Sequence, residues 1–178
     1  AHIIIEEYEK ASEISGSGTN KQLIVLSAKS EQLLQRYAVR LRDSVKRTMV
    51  NEEVDPTHTV QLSEIAYTLQ VGRQPFNERL GLIVSGKMDL LTKLERFIEG
   101  QHNHSIGIFC GESVDSMEPQ LKSVKVGDTS IYDSFAKGDL NKVARYWVAG
   151  GHIDWNAMHT GNKIRRVSLP TYPFEMRR

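Results

Sequence analysis

The segment NHSIG, Asn103 to Gly107, places a histidine directly before a serine, as in the tight turns that carry a serine nucleophile. Such a turn needs a strand before the serine and a helix after it, because the sharp bend exposes the hydroxyl. Here Asn103 stands where a glycine is needed, and the apolar run after Gly107 indicates a strand. The sequence therefore favours an ordinary loop serine over a nucleophile at Ser105 with His104 beside it.

The positions of the histidines and of the single cysteine give little support for a metal site or a reactive thiol. His102 and His104 alternate, but His152 and His159 lie far along the chain, and no carboxylate cluster completes a ligand set. Cys110 ends an apolar run, which predicts a buried structural thiol and not a nucleophile in an electropositive niche. The glycines of SGSG are not followed directly by a lysine and open no helix, so they lack the features of a phosphate loop. We therefore expect no catalytic residue, no metal and no cofactor in this chain.

The composition excludes several function classes. The chain has 178 residues, 39% hydrophobic and 25% charged, with a net charge of +1, so nothing attracts it electrostatically to nucleic acid or to an anionic membrane. No apolar run reaches the length of a membrane span, and the segment AHIIIEEYEK lacks the features of a signal peptide. One cysteine excludes an internal disulfide, which predicts a cytoplasmic location. Because the chain begins with Ala1, we expect a piece of a longer polypeptide.

Hydrophobic periodicity predicts an α+β fold. Apolar runs at 23–26, 79–84 and 105–111 indicate three strands. Apolar residues at helical spacing indicate helices over 31–49, 61–71, 87–99 and 130–148, the last broken near Gly138. This order predicts a small three-stranded sheet packed against helices on one face, followed by a C-terminal helical region. Trp147 and Trp155 in that region are expected to pack inside the domain.

An extended segment rich in proline and aromatic residues lies near the end of the chain. Pro170 and Pro173 fix their own φ angles and disfavour helix at the residues before them. The segment 169–174, called the strap from here on, therefore cannot be helical. Tyr172 and Phe174 bring large apolar surfaces that need burial. The strap must pack either on its own domain or on a partner outside this chain.

Four stretches of the chain resemble one family of multienzymes. They are similar to the region that directly follows a ketosynthase in modular polyketide synthases, and they occur in the same order: NKQLIVLSAKSEQLLQRYAVRL, LSEIAYTLQVGRQPFNERLGLIVS, DLNKVARYWVAGGHIDWNAMH and RRVSLPTYPFEMRR. The start, AHIIIEEY, resembles the exit of the ketosynthase itself. The resemblance covers nearly the whole chain, and residues 67–73 and the strap are its most distinctive parts.

In relatives with a built-in acyltransferase, that domain lies between the third strand and the helix that carries the Trp-Val pair. Only residues 112–138 stand there in this chain, far too few for such a domain. The resemblance therefore implies a synthase whose acyltransferase is a separate protein acting in trans. It also implies four parts: an exit and connector (1–20), an αβ linker or docking domain (21–111), a polar insert (112–138), and a C-terminal helix with the strap (139–178).

The resemblance implies a non-catalytic linker or docking module that is monomeric as an isolated fragment. Its partners would be the ketosynthase of the same polypeptide and, as further candidates, the trans-acting acyltransferase and an acyl carrier protein. Phosphopantetheine would be needed only on the carrier proteins of the parent synthase. The candidate partner contacts are polar groups at the end of the second helix and residues of the strap: Gln70, Arg73, Asn77, Leu169, Pro170, Tyr172, Pro173 and Phe174.

Several alternatives stay open at this point. Arg73 could pair within the fold instead of meeting a partner, whereas Phe174 is expected to reach the ketosynthase. The module could be a purely structural spacer, or it could mediate lateral contacts between neighbouring synthases through the insert. A degenerate acyltransferase that uses Ser105 and His104 is the remaining interpretation.

Overall fold

A computed structural model of the chain describes residues 21–112, 129–161 and 163–173. Three strands form one antiparallel sheet in the order β1–β2–β3, where β1 is Gln22–Ala28, β2 is Glu78–Val84 and β3 is Ile108–Glu112. Every residue of β1 and β2 after the first is buried. This is the burial that uninterrupted apolar runs predict, because both faces of the sheet are covered.

Six helices lie in the described part of the chain: α1 (Glu31–Val54), α2 (Leu62–Val71), α3 (Lys87–Ile98), α4 (Thr129–Ala136), α5 (Leu140–Val148) and α6 (Trp155–Met158). Ser30 begins α1 by accepting the backbone N–H of Leu33 at 3.4 Å, as its position before the apolar pattern predicts. Gly138 separates α4 from α5 with a φ of 76°. This left-handed conformation favours glycine, and the predicted break is confirmed.

Helices cover both faces of the sheet. A Cβ atom built at Gly81 in the central strand would lie 3.6 Å from the Cβ of Ala144, so α5 packs closely on this face. Leu80 and Leu82 point to the opposite face because strand side chains alternate, and both are fully buried. There α1 and α3 contact each other and the sheet. The predicted α+β class with a three-stranded sheet is confirmed, and the C-terminal helical region takes the second face.

Two element boundaries differ from the prediction. Helix α1 continues to Val54 instead of ending near Met49, because its first strong stop signal is Pro56, which disfavours helix at Asp55. Strand β3 begins at Ile108 instead of Ser105. The three residues His104–Ile106 form a 3₁₀ turn that ends at Gly107, whose φ of 78° lies in the left-handed region.

The insert predicted over 112–138 is partly helical. It contains the whole of α4, where Ile131 is buried and Phe135 packs against the core. Residues 113–128 lie outside the described part of the chain. None of the helices that the structure describes has the length and apolar character needed to cross a membrane.

Candidate functional site

An extended segment, residues 163–168, leads into the strap and lies along α2. The backbone N–H of Val167 donates to Thr68 Oγ1 at 3.0 Å. The guanidinium of Arg165 forms an ion pair with Glu64, whose side chain is 12% exposed. The same carboxylate accepts the backbone N–H of Gln61 at 2.8 Å, which caps the first turn of α2. Glu64 therefore joins the beginning of α2 to the C-terminal part of the chain.

The strap crosses from α2 to the beginning of α1. Arg73, just beyond α2, donates from Nη2 to the carbonyl of Pro170 at 3.2 Å and from Nε to the Tyr37 hydroxyl at 3.0 Å. The ring of Tyr172 lies between those of Tyr37 and Phe76, with centroid distances of 6.2 and 4.9 Å. Its hydroxyl accepts the backbone N–H of Lys29 at 3.1 Å. These contacts join residues up to 143 positions apart into one docking site.

The structure separates the predicted partner contacts into three groups. Leu169, Pro170 and Tyr172 are half-buried and Pro173 is buried, so the described part of the strap packs on its own domain. Arg73 is also held within the fold, whereas Asn77 is exposed in the loop before β2. Phe174 lies outside the described residues.

Gln70 is buried, and the expectation that it is an exposed contact is wrong. Its side chain is 4% exposed, and Nε2 donates to the carbonyl of Leu23 at 2.7 Å. The backbone N–H of Ile83 donates to the carbonyl of Gly107, so it points toward β3 and away from β1. Leu23 lies opposite Ile83 in the antiparallel pair. Its own carbonyl therefore points away from β2, toward the open edge of the sheet. Gln70 therefore satisfies an unpaired edge carbonyl, a role that helical spacing does not reveal.

The half-buried His159 extends this chain of hydrogen bonds. Its Nε2 lies 2.5 Å from Gln70 Oε1, which can only accept, so the imidazole is the donor. The rings of Tyr67 and Phe135 meet the imidazole edge-on, at centroid distances of 5.0 and 5.7 Å. Burial lowers the pKa of His159, because desolvation disfavours the charged imidazolium.

We expect the free energy of unfolding to fall as the pH drops below about 6.5, the ordinary pKa of histidine. Below this pH the unfolded chain takes up a proton at His159, whereas in the folded chain His159 stays neutral until the pH reaches its lower pKa. The loss should be less than about 1 kcal/mol because the group is only partly buried. Urea unfolding at pH 7.5 and 5.5 should show it, and the loss should shrink in His159→Asn. If His159→Asn lost the same free energy of unfolding between pH 7.5 and 5.5, the pH dependence would come from other groups.

Arg79 joins the sheet to the segment after α5. Its Nε donates to the carbonyl of Phe76 at 2.9 Å, and Nη1 donates to those of Trp147 and Gly151 at 2.9 and 2.8 Å. The guanidinium also lies 4.3 Å from the centre of the Trp147 ring. Burial lowers the pKa of Arg79, yet arginine stays charged in proteins. The expected intradomain packing of Trp155 is confirmed, since it is 6% exposed and meets Trp147 edge-on at 5.7 Å.

An apolar cavity of ≈ 280 Å³ lies under the strap. Tyr172, Tyr37 and Phe76 line it on the strap side, and Leu69 and Trp147 line it on the core side. The strap therefore covers a space between α2 and the sheet, and part of its aromatic surface faces that space.

Ser105 lacks the surroundings of a nucleophile. It is exposed, and its Oγ donates to Asn103 Oδ1 at 2.7 Å, as in a simple turn. The imidazole of His104 stacks on Phe109 at 5.0 Å, and no hydrogen bond between His104 and Ser105 occurs in the part of the chain described. The serine also precedes its strand, whereas a nucleophile turn needs the strand first.

Cys110 and His102 are the thiol and imidazole that come together in the described part of the chain, with 3.5 Å between Sγ and Nδ1. Burial raises the pKa of the Cys110 thiol to about 12, with a smaller contribution from Glu31, so the thiolate needed for nucleophilic attack is scarce. Cys110 is half-buried, so it is less enclosed than the predicted buried thiol. No three side chains of His, Cys, Asp or Glu among residues 21–112, 129–161 and 163–173 come together as a metal site.

Sequence reasoning missed Glu64 and Arg165 as parts of the docking site. The spacing Gln61-x-x-Glu64 at the start of an apolar helical pattern is a signal for a capping box and could have indicated Glu64. No local pattern pairs Glu64 with Arg165, which lies 101 positions away.

Comparisons with known proteins agree with this architecture. Residues 25–101 match the family described as RhiE-like, KS-MAT linker domain. Over 98% of its length the chain is 36% identical to polyketide synthase PksL of Bacillus subtilis (strain 168), and over 100% it is 32% identical to PksN of the same strain. The chain spans only about 4% of PksL and 3% of PksN.

A solved structure supports the same assignment. The ketosynthase from module 6 of the bacillaene synthase from Bacillus subtilis 168 superposes with a TM-score of 0.73 at 30% identity, over 88% of this chain and 26% of that one. The matched fold therefore occurs as a minor part of a structure named for its ketosynthase. The chain belongs to the RhiE-like KS-MAT linker domain family of polyketide synthases.

Proposed function

We propose that this chain is a non-catalytic linker that follows a ketosynthase in a polyketide synthase and fixes where the polypeptide leaves that enzyme. The observation that carries the proposal is the docked strap. Its contacts at Arg73, Tyr172 and Lys29 hold the C-terminal part of the chain on the αβ body across 97 and 143 positions of sequence. A linker with a fixed exit sets the distance between the domains before and after it.

The chemistry of the strap suits this role. Pro170 and Pro173 restrict the unfolded chain, so less conformational entropy is lost when the strap docks. The aromatic ring of Tyr172 buries a large area at the cost of few rotatable bonds. The ketosynthase of the same polypeptide is the natural neighbour of such a module, since the solved relative carries the matched fold in the same chain as a ketosynthase.

The same module offers surface to a separate acyltransferase acting in trans, a partner that the short 112–138 segment favours because it leaves no room for a built-in domain. Two exposed areas could take part. One is the loop before β2 with Asn77, and the other is an apolar area at the end of α1 and the start of α3, where Val54 is 83% and Met88 is 64% exposed. The ion pair between Lys87 and Glu52 brings these two helix ends together.

An NMR titration of the isotope-labelled chain with the acyltransferase of the same synthase tests this docking. Saturable shifts confined to one of the two areas would support it, and Met88→Gln or Asn77→Ala should then weaken binding at the area concerned. An intact spectrum without shifts at high concentration would reject docking and leave a spacer whose neighbour is the ketosynthase.

An acylation assay distinguishes a non-catalytic linker from a degenerate acyltransferase. We expect that an activated malonyl thioester leaves the chain unlabelled at Ser105, because its exposed hydroxyl donates to Asn103 Oδ1 and no base among the described residues is hydrogen-bonded to it. Ser105→Ala should fold like the parent chain, and neither protein should gain the mass of a malonyl group after incubation with the thioester. A stoichiometric malonyl adduct that disappears in Ser105→Ala would contradict the non-catalytic assignment.

A further inference from the structure

A groove that adjoins the cavity under the strap lies between the end of α2 and the segment after α5. Its volume is ≈ 630 Å³, and Trp147, Ile153 and Trp155 form its apolar wall. Three arginines also line it: Arg73, Arg79 and Arg166. They come from three separate parts of the chain, so only the fold brings them to one groove.

None of these arginines forms an ion pair with a described residue. Arg79 donates to three backbone carbonyls, and Arg73 donates to the Tyr37 hydroxyl and the carbonyls of Gly72 and Pro170. Arg166 is exposed. Elsewhere in the described chain, cations do meet carboxylates, as Lys46 meets Glu95 at 2.7 Å. No described carboxylate forms an ion pair with these three arginines, so their charge is left without a direct partner in the described part of the chain.

One acid, Asp154, also lines the groove and offsets part of this charge. Its Oδ1 accepts the backbone N–H groups of Asn156 and Ala157 at 3.0 and 3.2 Å, as the N-cap of α6. Three arginines against one aspartate still leave the lining side chains with an excess of positive charge.

Two donors on residues that line the groove lack an acceptor among the described residues. Both N–H groups on Nη1 of Arg79 are used, but no described acceptor takes those on Nη2. Trp147 is 5% exposed, and no described residue accepts a hydrogen bond from its buried indole Nε1. A buried donor without an acceptor is costly, and most such groups in native proteins have a partner. The missing partner must therefore supply oxygen acceptors and negative charge.

We propose that this groove binds a phosphate group. A single carboxylate is planar and carries only one negative charge. A phosphate monoester carries close to two charges at pH 7, and its oxygens can accept donors from several directions. It therefore matches three guanidiniums on separate elements better than a carboxylate does. The inference rests on the groove alone and does not depend on the linker function.

The test is an NMR titration of the full chain with inorganic phosphate at constant ionic strength, with sodium chloride as the matched salt. The signals to follow are the Trp147 indole N–H and the Arg79 Nε–H. We expect both to shift saturably with phosphate and to stay in place with chloride. Repeating the titration with glycerol phosphate identifies the source of the group, because tighter binding of the ester shows that the organic part also contacts the apolar wall.

Matched variants decide whether the groove is the site. Arg166→Gln removes one exposed charge from the groove and should weaken phosphate binding about threefold to tenfold. Arg96→Gln removes an exposed charge from α3, which does not line the groove, and should leave the affinity unchanged. Equal shifts with chloride, equal weakening in both variants, or preferred binding of a glutamate-rich peptide would each overturn the proposal.

Discussion

Replacing Arg79 with Met should lower the free energy of unfolding by about 3–5 kcal/mol. Met fills a similar volume but donates no hydrogen bond. The carbonyls of Phe76, Trp147 and Gly151 would lose their shared donor, and Trp147 would lose the cation over its ring. Because Arg79 is 8% exposed, water cannot replace the guanidinium easily. The sheet and the C-terminal helical region would therefore lose their main polar connection.

Urea unfolding at neutral pH measures this effect. Arg96→Met is the matched control, since this exposed arginine on α3 makes no ion pair with the described residues and should change stability by less than about 0.5 kcal/mol. If Arg79→Met proved as mild as the control, the hydrogen bonds from Arg79 would not hold the C-terminal region on the sheet.

Replacing Gly111 with Ala should destabilise the fold by about 1–3 kcal/mol or more. A Cβ atom at this position would lie 2.6 Å from the backbone oxygen of Val148 and 3.1 Å from its carbonyl carbon. Both contacts are with backbone, so no side-chain rotation relieves them, and α5 must move away from β3. The small residue on β3 therefore permits the close approach of the C-terminal helix.

Gly86→Ala is the matched control for this substitution. Nothing lies within 4 Å of a Cβ at Gly86, and its φ of −173° is extended backbone that any residue adopts. Thermal unfolding should therefore show a large loss for Gly111→Ala and little change for Gly86→Ala. Equal stability of the two variants would mean that α5 does not pack on β3 as closely as the structure shows.

The sequence was sufficient to predict the elements whose burial follows a simple period. The apolar run at 23–26 lies within β1, and the helical spacing from Leu33 to Val45 lies within α1, because a sheet buried on both faces and an amphipathic helix leave clear patterns. The break at Gly138 followed from its freedom at positive φ. The strap could be predicted as extended because Pro170 and Pro173 fix their own φ angles and disfavour helix at the residues before them.

The contacts that make the docking site could not be predicted in this way. Gln70 looked like a solvent-facing residue at the end of a helix, but an unpaired carbonyl of β1 and the imidazole of His159 make it a buried bridge. Arg79 sits in an apolar strand run, and its acceptors are carbonyls fixed only by the packing of α5. Such roles depend on register and on the meeting of distant segments, which no local pattern contains.

The most direct test of the account is whether the strap is fixed on the αβ body. Spin labels at cysteines replacing the exposed Glu99 and Thr171, in a Cys110→Ser background, allow their separation to be measured by double electron–electron resonance. A docked strap predicts one narrow distance distribution, which should broaden when Arg73→Gln and Tyr172→Ala remove its hydrogen bonds and ring contacts. A distribution that is already broad, and that the two substitutions leave unchanged, would contradict a linker with a fixed exit.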